Sequence, residues 1–479
     1  MSAAKSGNHI YVSGSGNTLA SITTDIADTT FIEKTASSPD IYTVKGNVAR
    51  YLRIRNGGTL TIGDPLDYTD DESLEFENDA VDRTRFYVDT GGTLLMYGAT
   101  KIDFSTSAFR PYYTYFYGKA DILGDGTNNP TLQNYRRLYF YENQNNDTYS
   151  SDVWHFEDMT IGSSFTLNDY AMYFNVIGKV RSHIFKDILF DKTHGNGVGF
   201  YAMRLPYDIR GLRNITFENL DFNNVGNYPV YTTGARPHFK GCTFGTTTSW
   251  KMLTYGCGTA NGSDTYGDYG YHGEHNDGQH FIYLEDATFE NLANQNCLLA
   301  QYGSVVLCKD CTWEHTSGDS GQAAYGGVIM MWTGNTFSGV ENWDVDYDGR
   351  VNWVHSLTLT INDENGDPLE DATVVIEQSG GKETLTFHTD AAGKMRNDHD
   401  LDCALLVHKH QYGNAEATNF EYWSDATNST YHTATVYKAG YTPATEDYVM
   451  SEARSDTIQL ELLSTGSKAI NLSKRAKIK

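Results

Sequence analysis

The sequence is poor in proline, which occurs 9 times, and no segment shows the apolar spacing of a long amphipathic helix. Glycine, by contrast, occurs 45 times and tyrosine 34 times. Many glycine turns without helical periodicity are typical of a large all-β protein. With 479 residues the chain exceeds one ordinary core, so two or three domains are expected.

Basic residues are also scarce, because 36 Lys and Arg stand against 61 Asp and Glu, a formal net charge of −25. Phosphate binding needs a concentrated basic surface, so the charge argues against nucleic acid as a partner. The acidity suits solubility in a salty or extracellular setting.

Two kinds of apolar segment are missing from the sequence. The first residues, MSAAKSGNHIYVSGSGN, contain no apolar core of a secretory signal peptide. No stretch approaches the length of a membrane span. We therefore expect a chain that is made in the cytoplasm, does not leave by the common export route and does not insert into a membrane.

The six cysteines are scattered, and only Cys308 and Cys311 have the spacing of a zinc or redox motif. No second such pair follows. Both occupy apolar positions of the repeat described next, so we predict two buried core thiols. The sequence predicts neither a metal site nor a cofactor.

A seven-residue phrase recurs six times along the middle of the chain. It has an apolar first residue, Asp, Asn or Gly at the third position, a small or apolar fourth residue and an aliphatic or aromatic sixth. The copies begin at residues 156, 185, 212, 239, 284 and 308. Repeated strand phrases at such intervals are typical of a solenoid.

The third position of the phrase predicts a bend. Its residues are Asp158, Asp187, Asn214, Gly241, Asp286 and Asp310. These residue types tolerate the left-handed backbone conformation, so each can turn a strand sharply.

After the bend, the fourth and sixth residues point to one face of a strand, which the repetition makes the interior. The predicted inward pairs are Met159/Ile161, Ile188/Phe190, Ile215/Phe217, Cys242/Phe244, Ala287/Phe289 and Cys311/Trp313. Stacking of successive coils then places aromatic on aromatic. The pattern predicts a right-handed parallel β-helix over residues 41–352, with residues 1–40 as an N-terminal cap or attachment segment.

This region resembles the pectate-lyase-like β-helix superfamily in its repeat pattern. Polygalacturonase-type members carry an Asn-Thr-Asp strand, an Asp-Asp pair and a Gly-His-Gly turn. This sequence has neither the strand nor the turn, and its one Asp-Asp pair is Asp70–Asp71. Catalytic residues are therefore not assigned from the resemblance.

Residues 353–463 resemble the carboxypeptidase regulatory-like, or transthyretin-like, β-sandwich family. The matching residues are Gly366, Pro368, Leu369, Ala372, Val374, Thr389, Asp390, Gly393, Gly440 and Tyr441. The resemblance implies a small antiparallel β-sandwich that acts as a stalk, spacer or docking module. Residues 464–479 form a basic tail, whose charged residues lie within Lys468–Lys479. The tail is either a solvated terminus or a strap that docks on an acidic neighbouring subunit.

The repeat is interrupted by a segment from Thr254 to His280 that is rich in tyrosine, histidine and acidic residues. Long loops on a rigid scaffold often carry function. Glycan binding and subunit contact both remain open for its candidate residues, Tyr255, Tyr266, Tyr269, Tyr271, His272, Glu274, His275 and Asp277. A metal site from His272, His275 and His280 is a weaker alternative. A second tyrosine-rich strand adds Tyr113 and Tyr115.

Together these features favour a structural surface protein of a tailed virus: a spike, a fibre or a capsid decoration that contacts host-surface glycans. Its predicted location is the virion surface, and its predicted partners are host polysaccharide and other virion proteins, the latter through the basic tail Lys468–Lys479. We expect it to form a homo-oligomer, with a trimer as the first hypothesis. Two alternatives stay open, a polysaccharide-degrading β-helix enzyme and a microbial cell-surface adhesin. All three rest on analogy with folds.

Overall fold

The structure is a computed structural model that describes residues 3–45, 51–77, 85–104, 113–135, 137–141, 153–162, 171–175, 183–191, 198–201, 215–222, 225, 229–233, 237–245, 251–255, 281–290, 298–301, 304–314, 322–325, 327–338, 343–346, 349–379, 383–396, 401–411, 420–423 and 430–463. The fold is all-β. The chain divides into two compact units, and the main division falls between Asn352 and Trp353.

The first unit is built from three stacks of short strands, and almost every pairing between successive strands is parallel. The first stack consists of Ala3–Ser6, His9–Val12, Tyr51–Ile54, Arg85–Val88, Tyr113–Phe116, Arg137–Tyr141, Met172–Asn175, Val198–Tyr201, Val230–Thr233, Met252–Tyr255, Leu298–Gln301, Gln322–Tyr325 and Trp343–Asp346. Buried and outward residues alternate along its strands, so one face lies in the core.

The second and third stacks share two long strands. The second consists of Asn17–Thr18, Thr59–Ile62, Thr93–Tyr97, Lys119–Leu123, Trp154–Gly162, Ile184–Asp191, Thr216–Glu218, His238–Lys240, Ile282–Glu285, Val305–Lys309 and Val328–Met331. The third adds Ile32–Ser37, Asp40–Val44, Ser73–Phe76, Lys101–Phe104, Thr131–Gln133, Asp221–Phe222, Thr243–Phe244, Thr288–Phe289, Thr312–Glu314 and Thr336–Ser338. Trp154–Gly162 and Ile184–Asp191 run through both stacks.

The turn from the second to the third stack uses a left-handed residue in coil after coil. The backbone angle φ is positive at Asp158, Asp187, Gly241, Asp286 and Asp310. Asn214, the remaining predicted bend residue, lies outside the described residues.

One copy of the repeat is placed differently from the prediction. Phe217 pairs with Phe185 and Phe239, which makes Phe217 the first residue of its phrase. The bend of that coil is Asn219, whose φ is 54°. The alignment that began this copy at Leu212, with Ile215/Phe217 as the pair after the bend, is therefore wrong. Leu220 and Phe222 take those places.

Aromatic rings form continuous ladders inside the first unit. In the third stack the ring centroids lie 4.4–5.9 Å apart at nearly parallel angles, along Phe190, Phe222, Phe244, Phe289, Trp313 and Phe337. Cys308 and Cys311 are fully buried thiols, Cys308 on the strand Val305–Lys309 and Cys311 between this strand and Thr312–Glu314. The predicted core role of these two cysteines agrees with their burial.

The N-terminal segment joins the parallel stacks instead of standing apart from them. His9–Val12 pairs in parallel with Tyr51–Ile54, and Asn17–Thr18 pairs in parallel with Thr59–Ile62. The stacking therefore begins before residue 41, because His9–Val12 has the same alternation of outward and buried residues as the later strands. Ala3–Ser6 covers the edge as an antiparallel strand.

The helix Leu19–Ile26 begins at a capping box of Thr18 and Ser21 and buries Leu19, Ile22 and Ile26. It ends where Ala27 takes a left-handed conformation. Among the described residues, no helix combines the length and the apolar character that crossing a membrane requires.

Replacing Asp286 with valine tests the bend, because Asp286 is exposed and its φ is 52°. A β-branched residue in this conformation is expected to lower the free energy of unfolding by about 1–2 kcal/mol. Asp286→Gly is the matched control, since glycine adopts this φ freely. Urea titration of the full chain measures both variants, and equal midpoints for valine and glycine would contradict the bend role.

The strand Arg350–Asp363 crosses the division between the units, and its part from Trp353 onward belongs to the second unit. Within this part, Leu357–Asp363 pairs in parallel with Arg454–Leu460. Four strands form an antiparallel sheet: Glu383–His388, Thr373–Gln378, His432–Tyr437 and Ala444–Tyr448. Ala404–Gln411 and Phe420–Tyr422 complete the described strands. One apolar core includes Leu359, Ile361, Val374, Phe387, Leu406 and Val436.

The second unit is expected to lose stability in mild acid through His432. The imidazole is fully buried, with Nε2 2.9 Å from the carbonyl oxygen of Val407, and burial lowers its pKa from 6.5 to about 4. Between these pH values the unfolded chain binds the extra proton, so stability is complete above pH 6.5 and falls as the pH drops toward 4. The loss is on the order of 3 kcal/mol.

The measurement is thermal unfolding of the full chain across pH 4–7, and His432→Gln is expected to reduce the slope in this window. His355 contributes in the same direction because burial also lowers its pKa. An unchanged slope in His432→Gln would contradict the assignment.

Candidate functional site: a tyrosine and arginine face

The outward side of the first stack is covered with tyrosine and arginine side chains. We call this surface the Tyr/Arg face; its residues are His9, Tyr11, Tyr51, Arg53, Arg55, Arg85, Tyr87, Asp89, Tyr113, Tyr115, Tyr117, Arg137, Tyr139, Tyr141 and Tyr173. Each strand buries its alternate residues, such as Phe86 and Phe116, and thereby holds the others outward. In-register pairing then aligns the outward residues of successive strands in rows.

The central row is a ladder of stacked phenol rings. Tyr87 and Tyr115 have ring centroids 4.7 Å apart with planes 6° from parallel, and Tyr115 and Tyr139 are 4.9 Å apart at 5°. Tyr173 follows at 5.2 Å with its ring turned by 61°. The ring faces of Tyr115 are thus occupied by its neighbours, and a ligand meets ring edges and hydroxyl groups rather than ring faces.

Arginines are packed onto these rings. The guanidinium of Arg53 lies 4.7 Å from the ring centroid of Tyr87, and that of Arg137 lies 5.1 Å from Tyr139. Arg55 lies over Tyr11 at 3.4 Å. Such cation–π contacts hold the guanidinium planes in place, and the N–H groups at the edge of each plane are hydrogen-bond donors.

The face carries more positive than negative charge, although the chain as a whole is strongly acidic. Among the described residues of the face, the one acidic residue is Asp89, which receives hydrogen bonds from Nε and Nη2 of Arg53 at 3.0 and 2.6 Å. Within this described set, four arginines stand against one aspartate.

Burial keeps the hydroxyl groups of the face protonated. Partial burial raises the pKa of Tyr115 and Tyr117, and it raises the pKa of Tyr141 to about 12. Burial together with Arg53 and Arg55 lowers the pKa of His9, so this imidazole is neutral at pH 7. At neutral pH the face offers phenol O–H and guanidinium N–H groups, which are hydrogen-bond donors to oxygen.

The structure brings together only part of the predicted site. Tyr113 and Tyr115 lie in the Tyr/Arg face, whereas Tyr255 belongs to the strand Met252–Tyr255 and its side chain is not described. The remaining loop candidates lie outside the described residues: Tyr266, Tyr269, Tyr271, His272, Glu274, His275, Asp277 and His280. The basic tail Lys468–Lys479 lies outside them as well.

Three carboxylates cluster near the bends of two neighbouring coils, Glu157, Asp158 and Asp187, with ligand oxygens within 4.8 Å of one another. Lys186 Nζ lies 2.8 Å from Glu157 and 3.2 Å from Asp187, and this pairing together with His155 lowers the pKa of Glu157. Burial and the neighbouring carboxylates raise the pKa of Asp158. The lysine offsets much of the charge, and the positive φ of both aspartates explains their presence.

Comparison with known protein families, with characterised proteins and with solved structures finds no match for this chain. Its function therefore has to be inferred from the chemistry of its own surfaces.

Proposed function

We propose that this protein is a structural surface protein of a tailed virus, a spike, fibre or capsid decoration, and that its Tyr/Arg face contacts host-surface glycans. In this proposal the three stacks are a right-handed parallel β-helix and the second unit is a small β-sandwich. The in-register parallel strands and the left-handed bend residues support the first assignment. The antiparallel sheet around Val374 supports the second.

The observation that carries the glycan contact is the row of hydroxyl groups along Tyr87, Tyr115 and Tyr139. Sugars present many oxygen atoms at intervals close to the strand spacing, which is about 4.8 Å. A rigid ladder of donors binds such a ligand with little loss of conformational entropy, because the rings are already held by stacking. The arginines beside the ladder add charged donors.

The virion role is tested on purified particles. Mass spectrometry of particles from a lysate is expected to detect this chain at stoichiometric levels, and labelled antibodies are expected to mark the particle surface in electron micrographs. Particles that lack the chain would contradict the proposal. The glycan contact is tested separately, on an array of neutral and acidic polysaccharides.

A polysaccharide-degrading enzyme is the second candidate, favoured by Glu157 and Asp158, whose pKa values are shifted in opposite directions. Paired carboxyl groups of this kind act as acid and base in glycoside hydrolysis. Incubation of bound glycans followed by assays for reducing ends and for unsaturated products distinguishes the two candidates. Product formation that disappears in Asp158→Asn would favour the enzyme, and binding without cleavage favours the structural protein.

A further inference from the structure

One row of the Tyr/Arg face alternates between aromatic and cationic side chains. Register pairs Tyr51 with Arg85, Arg85 with Tyr113 and Tyr113 with Arg137. The two arginines of this row, Arg85 and Arg137, therefore lie on strands that are two steps apart in the stack, and Tyr113 lies between them. With a step of about 4.8 Å, their separation is roughly 10 Å.

Arg85 has the surroundings of an anion-binding group. Its Nη1 donates to the hydroxyl of Tyr87 at 3.1 Å, and its Nε is buried without a hydrogen-bond partner among the described residues. Apart from burial, the largest influences on its pKa come from the phenols of Tyr87, Tyr115 and Tyr51. Its guanidinium lies 5.8 Å from the ring centroid of Tyr51.

Arg137 repeats this arrangement two strands further along. Its Nη1 donates to the hydroxyl of Tyr139 at 2.8 Å, and its guanidinium lies 5.3 Å from the ring of Tyr173. Both arginines thus donate to the phenol two residues later on the same strand. The same geometry at two places on one row holds two guanidinium groups roughly 10 Å apart.

We propose that the Tyr/Arg face binds a linear acidic polysaccharide whose carboxylates recur on every second sugar, with the chain running along the rows. Successive carboxylates pair with Arg85 and Arg137, and the neutral sugar between them lies beside Tyr113 and accepts hydrogen bonds from the phenol ladder. This inference rests on the proposed glycan contact and specifies its substrate class. Arginine suits the role because its planar group binds a carboxylate through two parallel hydrogen bonds.

The spacing of the two arginines favours this occupant over a polynucleotide. A polynucleotide carries a phosphate on every nucleotide and does not match cations on alternate strands.

The test measures dissociation constants of the full chain for four probes: hyaluronan, in which carboxylates alternate with neutral sugars; hyaluronan with its carboxyl groups reduced to alcohols; polygalacturonate, with a carboxylate on every sugar; and an oligo(dT) strand. Hyaluronan is expected to bind at least tenfold more tightly than each of the other three. Added salt is expected to weaken hyaluronan binding.

The double variant Arg85→Gln/Arg137→Gln is expected to weaken hyaluronan binding on the order of a hundredfold, about tenfold for each charged pair. Arg85→Lys/Arg137→Lys, which keeps the charge and loses the bidentate geometry, is expected to fall between this variant and the native chain. Lys101→Gln/Lys119→Gln is the matched control, because it removes two charges from outward positions of the other stacks, where each lysine pairs with an aspartate. This control is expected to bind within twofold of the native chain. Circular dichroism and thermal midpoints check that all variants are folded.

Three results would overturn the inference: equal binding of hyaluronan and its carboxyl-reduced form, tighter binding of polygalacturonate or oligo(dT) than of hyaluronan, or an oligomer that dissociates when Arg85 and Arg137 are replaced. The last result, read by sedimentation, would make the face a subunit interface. If the chain binds hyaluronan as expected but is absent from virions, only the virion role is contradicted. A chain present on virions that binds only neutral glycans would contradict only this inference.

Discussion

Replacing Phe140 with alanine is expected to lower the free energy of unfolding of the first unit by about 3–5 kcal/mol. The ring is fully buried and stacks on Phe116 at 5.0 Å and on Phe174 at 4.6 Å. It also meets the edge of Trp154 at 5.1 Å and of Phe185 at 5.6 Å. Because aromatic side chains of several stacks converge on this ring, its removal leaves a cavity that none of them can fill without losing its own stacking.

Urea titration of the full chain, followed by far-ultraviolet circular dichroism, measures the effect on the transition of the first unit. Phe140→Leu is the matched control, because it keeps most of the volume, and it is expected to lose less than half as much stability. A midpoint in Phe140→Ala equal to that of the native chain would show that this ring does not belong to a continuous core.

Lys251→Met is expected to destabilise the first unit by about 3 kcal/mol, because the substitution leaves buried carbonyl groups without a donor. The side chain of Lys251 is buried, and Nζ donates to the carbonyl oxygens of Phe244 and Gly245 at 3.0 and 2.7 Å and to that of Glu290. The ammonium thus connects the ends of two neighbouring strands of the third stack with the start of a strand of the first. Methionine preserves the length and the apolar stem but donates no hydrogen bond.

Lys240→Met is the control for Lys251→Met, because Lys240 is exposed on a strand of the same coil. It is expected to change the free energy of unfolding by less than about 0.5 kcal/mol. Equal midpoints for the two variants, measured by the same urea titration, would contradict the structural role of the buried ammonium.

The all-β class and the bends were predictable, but the register of one coil was not. The sequences starting at Leu212 and at Phe217 both fit the seven-residue phrase, and they overlap. Phe217 pairs with Phe185 and Phe239 in the neighbouring coils, so the phrase that starts at Phe217 is the one the structure uses. This register places Asn219 beside Asp187, and the amide of Asn219 donates a hydrogen bond to Oδ1 of Asp187 at 2.9 Å. A phrase considered alone contains no information on its partners in space.

The Tyr/Arg face was missed for a related reason. Tyr113 and Tyr115 stood out because they are close in sequence, whereas Arg85 and Arg137 each lie in a separate strand of ordinary composition. Segments of variable length separate these strands, so their order in the stack does not follow from a fixed period. The signal that was available is the pattern of Tyr or Arg at alternate positions in four strands of one stack, and it becomes visible only when the strands are aligned in register.

The pairing of neighbouring coils across the longest interruption of the repeat has an evolutionary consequence. His238–Lys240 and Ile282–Glu285 are adjacent and in register, and so are Met252–Tyr255 and Leu298–Gln301, although residues 256–280 intervene in the chain. The hydrogen bonds that fix these strands do not depend on the length of what is inserted between them. Natural selection can therefore exchange such an insert while the underlying scaffold is inherited unchanged.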